Sequence, residues 1–445
     1  MNTPIADFVR QYAASDTARL HMPGHKGRAF LGCEPFDITE IAGADNLYEA
    51  DGIIAQSEEN AAQLFGSART LLSTEGSSQC IRAMLHLCLA ARKSSTKPVI
   101  VAARNVHKAF VFACALLDFE IVWLWPEQMS SLCACEVSPA ALEETLSAMS
   151  EPPAAVYITS PDYLGGMADV RVLADVCHAH DTLLAVDNAH GAYLRFLSPS
   201  LHPMDLGADI CCDSAHKTLG VLTGGAYLHI SKSAPAVLCA RAKQAMALFG
   251  STSPSYLTLM SLDLCNAQLA GDYPARLADM AACMEASKRR LTENGWRVLL
   301  SDPLKLTLDA CAAGTTGTAL AQKLREHGME CEFADPETLV LMLTPENNSE
   351  DLDRLEKALG KNEAAARAWP DLPAAKGKRV MSVREAMFTE HETIPVSNAL
   401  GRICGAPTVA CPPAIPIAVS GEEITEEAIT LFAHYGVEMV DVVKA

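Results

Sequence analysis

Between residues 70 and 230 the sequence is a succession of short, apolar, β-prone runs separated by stretches of helical periodicity. The runs are TLLST (70–74), PVIVAA (98–103), EIVWLW (120–125), AAVYITS (154–160), LLAVD (183–187), DICCDS (209–214) and AYLHIS (226–231). Most lack the alternation of a half-exposed strand, which marks strands covered on both faces. Between them, SSQCIRAMLHLCLAAR (77–92) and VRVLADVCHAH (170–180) carry apolar residues at helical spacing. Strand and helix in alternation predict an α/β fold, a mainly parallel sheet covered by helices.

The pattern changes near residue 253. A turn and helix (STSPSYLTLMSLDLCNAQL) are followed by a smaller α+β series. Its strands are WRVLLS, LKLTLDA and ETLVLML, and its helices are TALAQKLREHG and EDLDRLEKALG. A proline-rich segment (406–429) reads as an extended meander and then a capped helix. The expected division is an N-terminal arm (1–55), a large domain (56–260) and a small C-terminal domain (261–445).

Charge and cysteine usage narrow the function. A formal net charge of −19 argues against nucleic acid and against a polybasic membrane contact. The 16 cysteines show no zinc-ligand spacing, so no metal is expected. The N-terminus has no secretory pattern, and no apolar run reaches membrane-spanning length. Free thiols in a reducing cytoplasm follow as the expectation.

Four loops follow strands and hold the chemistry. TEGSSQ places Gly76, Ser77 and Ser78 where a helix opens, a ready anion site, though Ser-Ser there is also an ordinary N-cap. RNVHK places His107 after the next strand; such a histidine is usually structural, but its imidazole can also stack on a planar ring. VDNAHGAY puts Asp187 at a strand's carboxyl end, the edge where open α/β sheets bind ligands; alone it also reads as a helix cap. In DSAHKTLGVLTGG, Lys217 stands where the chain turns back into the core. A lysine, a carboxylate and a phosphate cup are what pyridoxal 5'-phosphate requires. The amine forms a Schiff base, the carboxylate pairs with the ring nitrogen, and the cup holds the phosphate.

With those residues in view, the chain resembles the Orn/Lys/Arg decarboxylase family of fold-type-I pyridoxal-phosphate enzymes, nearly end to end. HMPGHKG (21–27), FGSARTLLSTEGSSQCIRAM, RNVHK, VDNAHGAY, DSAHKTLGVLTGG, TSPSYLTLMSLD, ALGRI and PPAIPIAVSGEEIT carry the likeness. The resemblance implies a lyase, of use in polyamine biosynthesis, that decarboxylates lysine, arginine or ornithine. It implies Lys217 as the Schiff-base lysine, Asp187 on the ring nitrogen and His107 on the ring face. It further implies Gly76, Ser77, Ser78, Ser214 and His216 around the phosphate, and His190 beside the cofactor. The HMPGHKG loop would line a site, in its own or a neighbouring subunit. A homodimer or larger homo-oligomer is implied too.

The sequence also departs from the family pattern. Asn188 stands where Asp-Glu-Ala-His is common, removing an acidic group. Cys411-Pro412-Pro413-Ala414-Ile415-Pro416 replaces Tyr-Pro-Pro-Gly-Ile-Pro, and the N-terminal wing of some members is not expected here. Two other readings stay open at this point: another fold-type-I reaction (aminotransferase or lyase), or a non-catalytic cofactor-binding paralogue.

Overall fold

The computed structural model describes residues 1–92, 94–410 and 414–444. In chain order the elements are α1 (Pro4–Ala13), α2 (Ile53–Phe65), β1 (Arg69–Ser73), α3 (Gly76–Ala91), β2 (Val99–Ala103), α4 (Lys108–Leu117), β3 (Glu120–Leu124), α5 (Pro139–Ser147), β4 (Ala155–Thr159), α6 (Val170–Ala179), β5 (Leu184–Asp187), β6 (Ile210–Asp213), α7 (Ala215–Thr218), β7 (Ala226–Ile230), α8 (Ala236–Phe249) and α9 (Tyr256–Leu269). They continue with α10 (Tyr273–Glu293), β8 (Val298–Leu299), β9 (Lys305–Asp309), α11 (Gly317–Glu326), β10 (Phe333–Ala334), β11 (Thr338–Met342), α12 (Ser349–Leu359), α13 (Val383–Phe388), β12 (His391–Pro395), β13 (Thr408–Ala410), β14 (Ile415–Ala418), α14 (Glu426–His434) and β15 (Met439–Val443). A seven-stranded sheet runs in the order β1-β7-β6-β5-β4-β2-β3. The seven apolar runs of the sequence are its strands. No helix among the described residues is long and apolar enough to cross a membrane.

The chain divides into two compact units: residues 1–95, 150–157 and 169–277 form the first, and 96–149, 158–168 and 278–445 the second. In the first unit the strand register sets where the loops after β1, β5 and β6 begin. β5 and β6 are parallel, with Asp187 level with Cys212. β7 runs against both β6 and β1, with Tyr227 level with Asp213 on one side and Leu72 on the other. The carboxyl ends of β1, β5 and β6 therefore share one edge of the sheet. β4 contributes Ala155, Val156 and the fully buried Tyr157. The N-terminal helix is fastened by charge: the Asp263 carboxylate of α9 accepts from the Ile5 and Ala6 amides, 3.0 Å each, and from the Ser57 hydroxyl at 2.7 Å. A carboxylate there satisfies amides that a helix start leaves over.

In the second unit β2 and β3 pair in parallel, and β8–β11 make a four-stranded antiparallel sheet in the order β10-β11-β9-β8. α12 starts with an Asn348–Asp351 capping box, and Thr425 caps α14 as its sequence predicts. Ile417, Ile424, Leu431, Phe432, Val440 and Val442 form the core of the C-terminal segment. Arg104 lies buried against the rings of Trp123 and Trp125, 5.1 and 5.2 Å from their centroids. Its guanidinium donates to the carbonyls of Pro416 (2.8 Å) and Ile417 (3.0 Å).

Of the departures in 411–416, Cys411, Pro412 and Pro413 lie outside the described residues. Ala414 is inside them, at a φ of +64°, and its carbonyl accepts the Lys108 amide at 2.9 Å. That left-handed backbone is what a glycine would adopt without strain; an L-residue there costs about 1–2 kcal/mol. Glycine's extra freedom in the unfolded chain returns about 0.4–1 kcal/mol of the difference. Ala414→Gly is therefore expected to stabilise the second unit by about 0.5–1 kcal/mol, seen as a higher urea midpoint. A lower midpoint would show that residue 414 does not hold this conformation.

Candidate active site

The short helix α7 carries Lys217 away from the end of β6. The Lys217 amide donates to the Ser214 carbonyl (2.9 Å), and Nζ lies 2.9 Å from Nε2 of His190, a buried imidazole. Two glycines join this turn to the loop after β1. The Gly225 carbonyl accepts from both the amide and Nδ1 of His216, at 3.1 and 3.0 Å. The Gly224 carbonyl accepts the Gly76 amide at 2.7 Å. Gly224 has a φ of +94°, and a β-carbon on it would stand 2.7 Å from the Thr74 carbonyl oxygen. The Gly-Gly after the lysine is thus the stitch between the lysine turn and the opening of α3.

At that opening Glu75 occupies the N-cap position with no side-chain cap. The Ser214 hydroxyl donates to Ser77 Oγ at 2.8 Å, while Gly76 and Ser78, both half-buried, complete the first turn. His216 lies on the same side: its Cε1 is 4.0 Å from where a β-carbon on Gly76 would be. Amides, hydroxyls and an imidazole converge here, the donors an anion needs.

Asp187 ends β5 with 2 % of its surface exposed. Burying a carboxylate without donors is costly, and three are present. The Tyr157 hydroxyl donates to Oδ2 (3.1 Å), and the Ala189 amide (3.2 Å) and Cys212 thiol (3.7 Å) donate to Oδ1. Burial, then the neighbouring Asp187 charge, pushes the Tyr157 phenol well above its ordinary range, so it remains a donor. The sequence does not single out Tyr157. The available signal is a phenol inside an apolar strand, which requires a partner once buried.

His107 lies in the second unit, where it caps α4: Nδ1 accepts the Ala109 amide at 3.1 Å. The structural role expected of such a histidine is therefore present. In the HMPGHKG loop, His25 is fixed between the Gly27 amide on Nδ1 (3.0 Å) and the Asp37 carboxylate on Nε2 (3.1 Å). Asn188 does not stand open toward the lysine; its side chain is fully buried and donates to Asp213 at 2.6 Å.

The first unit thus gathers an amine, a buried and fully donated carboxylate, and an anion cup at one sheet edge. This donor set fits the aldehyde, ring nitrogen and phosphate of pyridoxal phosphate. The architecture is that of the fold-type-I pyridoxal-phosphate enzymes. Residues 3–299 match the major domain of the Orn/Lys/Arg decarboxylases, and residues 362–437 match their C-terminal domain. The chain belongs to the Orn/Lys/Arg decarboxylase family.

An arginine decarboxylase of Bacillus subtilis (strain 168) is 29 % identical over 466 residues, covering 96 % of this chain and 92 % of the relative. The lysine decarboxylase of Francisella novicida superposes with a TM-score of 0.84 at 17 % identity, over 99 % of this chain and 81 % of that one. The constitutive lysine decarboxylase of Escherichia coli gives 0.79 at 18 % identity, over 100 % and 82 %.

Tyr157→Phe removes one donor from the Asp187 carboxylate. A hydrogen bond to a charged group contributes about 1.5–3 kcal/mol, so a roughly tenfold or greater loss of pyridoxal-phosphate affinity is expected. Titration of the apoprotein followed by absorbance measures it; unchanged affinity would mean that Asp187 does not depend on the phenol.

Proposed function

We propose that this protein decarboxylates a basic amino acid with pyridoxal phosphate, releasing the corresponding amine and CO2. The observation that carries the reading is the convergence of Lys217, Asp187 and the Gly76–Ser78 opening of α3 on one sheet edge. When bound, pyridoxal phosphate supplies an electron-withdrawing ring that accepts the electron pair left by a departing carboxylate.

The chain's own residues do the rest. Lys217 Nζ is the amine that would hold the cofactor, and His190 Nε2, 2.9 Å away, would take or return a proton at Nζ. Asp187, fixed by its donors, holds a proton at the ring nitrogen, where positive charge must persist. Ser77 and Ser78 would bind the phosphate at the turn that Gly76 opens, its own amide held by the Gly224 carbonyl, with Ser214 and His216 beside them. In the same reading His107 covers the ring face. The residues around Lys217 would also have to orient the substrate, because orientation selects decarboxylation over proton loss.

Arginine is the first substrate to test, because relatives matching nearly the whole chain are named arginine decarboxylases; lysine and ornithine follow. The arm, large-domain and small-domain division (1–55, 56–260, 261–445), a homodimer and a cytoplasmic location belong to the same reading.

Purified protein with pyridoxal phosphate is expected to release CO2 and an amine in equal amounts from one of the three. A keto acid in place of CO2 would replace the reading with transamination. Lys217→Ala is expected to lower turnover by at least about 10³-fold while the fold is retained; an active Lys217→Ala protein would end the assignment.

A further inference from the structure

Behind the lysine turn lies a second buried carboxylate that the proposed reaction does not use. Asp213 is the last residue of β6 and is wholly removed from solvent, as are Asn188, His202 and His229. Its Oδ2 lies 3.0 Å from Nε2 of His202 and 3.1 Å from Nε2 of His229; its Oδ1 lies 2.6 Å from Nδ2 of Asn188.

The outer contacts extend the network on both imidazoles. His202 Nδ1 accepts the Met204 amide at 3.3 Å, so its Nε2 bears the hydrogen. His229 Nδ1 is 2.8 Å from the Thr70 hydroxyl, itself 2.8 Å from that of Ser67. The side chains of Ser67, Thr70 and His229 thus form one hydrogen-bonded chain that ends on Asp213. Burial holds His229 below its ordinary range, in keeping with the neutral form. Burial alone would raise the Asp213 carboxyl, but the two imidazoles outweigh it and keep it ionised. His202, Cys211 and Asp213 also bring ligand atoms within 4.8 Å of one another. With His202 Nδ1 accepting an amide and its Nε2–H turned to Asp213, the cluster reads as a hydrogen-bond network rather than an ion site.

We propose that Asp213 is a positioning residue for the candidate site, and that it requires an amide, not a carboxylate, at residue 188. This rests on the reading of Lys217 and Asp187 as the cofactor's partners. Asp213 is followed directly by the turn bearing Ser214, His216 and Lys217. Asn188 directly follows Asp187, and its backbone amide also donates to the Cys212 carbonyl at 3.0 Å. One ionised carboxylate therefore ties the strand ends of both groups to β7. A carboxylate at position 188 would face Asp213 across 2.6 Å, the present donor–acceptor distance, where two anions cannot both remain ionised. The departure at position 188 is a change of partner charge behind the site, not the loss of an acid beside the cofactor.

The pair can be inverted. Asn188→Asp sets two carboxylates in contact. Asp213→Asn alone is milder, because the Asn188 amide can turn over to accept from the new amide. In the double variant the amide introduced at position 213 offers its oxygen to both imidazole N–H groups. Its nitrogen donates to the carboxylate introduced at position 188, so the contacts are restored with the charge moved to the neighbouring strand end.

Pyridoxal-phosphate affinity by absorbance and apoprotein melting temperature are measured for all four proteins. Asn188→Asp is expected to weaken cofactor binding by about 30-fold or more, Asp213→Asn by about tenfold or less, and the double variant to bind within about threefold of Asp213→Asn. A double variant no better than Asn188→Asp overturns the pairing. Single variants that melt lower but bind cofactor as the wild type does overturn the positioning role. If the wild-type protein takes up no pyridoxal phosphate, the functional reading falls and the positioning role with it, while recovery of the melting temperature in the double variant still establishes the pair.

Discussion

Two carboxylates end neighbouring strands of the first unit, and neither reaches water. Asp187 and Asp213 are 2 % and 0 % exposed, and charge so enclosed persists only where donors are supplied. The donors come from separate parts of the chain. Tyr157 on β4, the Ala189 amide and Cys212 serve Asp187; Asn188, His202 and His229 serve Asp213. The strand ends, the lysine turn and β7 must therefore come together in one arrangement or leave an unpaired anion in the core. That demand does for the polar edge what close packing does for the apolar interior.

The layered fold was legible because its strands are buried on both faces and read as apolar runs. The observed ends of β1–β7 fall within a residue of those runs. The lysine turn was legible as well, because Ser-Ala-His-Lys followed by Gly-Gly is poor strand sequence wedged between two good strands. Tyr157 was not legible, since a strand-core tyrosine and a tyrosine bound to a carboxylate look alike along the chain. Nor was the Asp213 network. His202, Asp213 and His229 are brought together by β6–β7 register and by a turn before β6, and no local pattern encodes that meeting. Asn188 shows the limit most clearly. The sequence places it beside Asp187 as a missing acid, whereas one residue's rotation along the chain directs it to a different carboxylate. Ala414 is similar: its identity reads as a small change, and only its backbone angle shows what the change costs.

The fold by itself accommodates many reactions. What supports the proposed reaction for this chain is family membership together with a lysine, a buried carboxylate and a helix opening held by specific bonds at one sheet edge. The glycine pair after the lysine has a part in this that resembles a hinge pin, because its two carbonyls hold His216 on one side and Gly76 on the other.

β7 runs against both its neighbours, so the chain leaves β6 and enters β7 at the same edge of the sheet. The segment bearing Lys217 is consequently a short closed excursion, without the long crossover that joins parallel strands. A short loop with both ends clamped has little slack, and its closure entropy is small and already spent. Added residues between Thr218 and Gly224 would shift the lysine relative to the cup, whereas the same insertion on the opposite edge of the sheet would extend a loop without moving either. Length variation among natural relatives should therefore avoid this turn, which makes it a landmark for aligning chains whose overall identity is low.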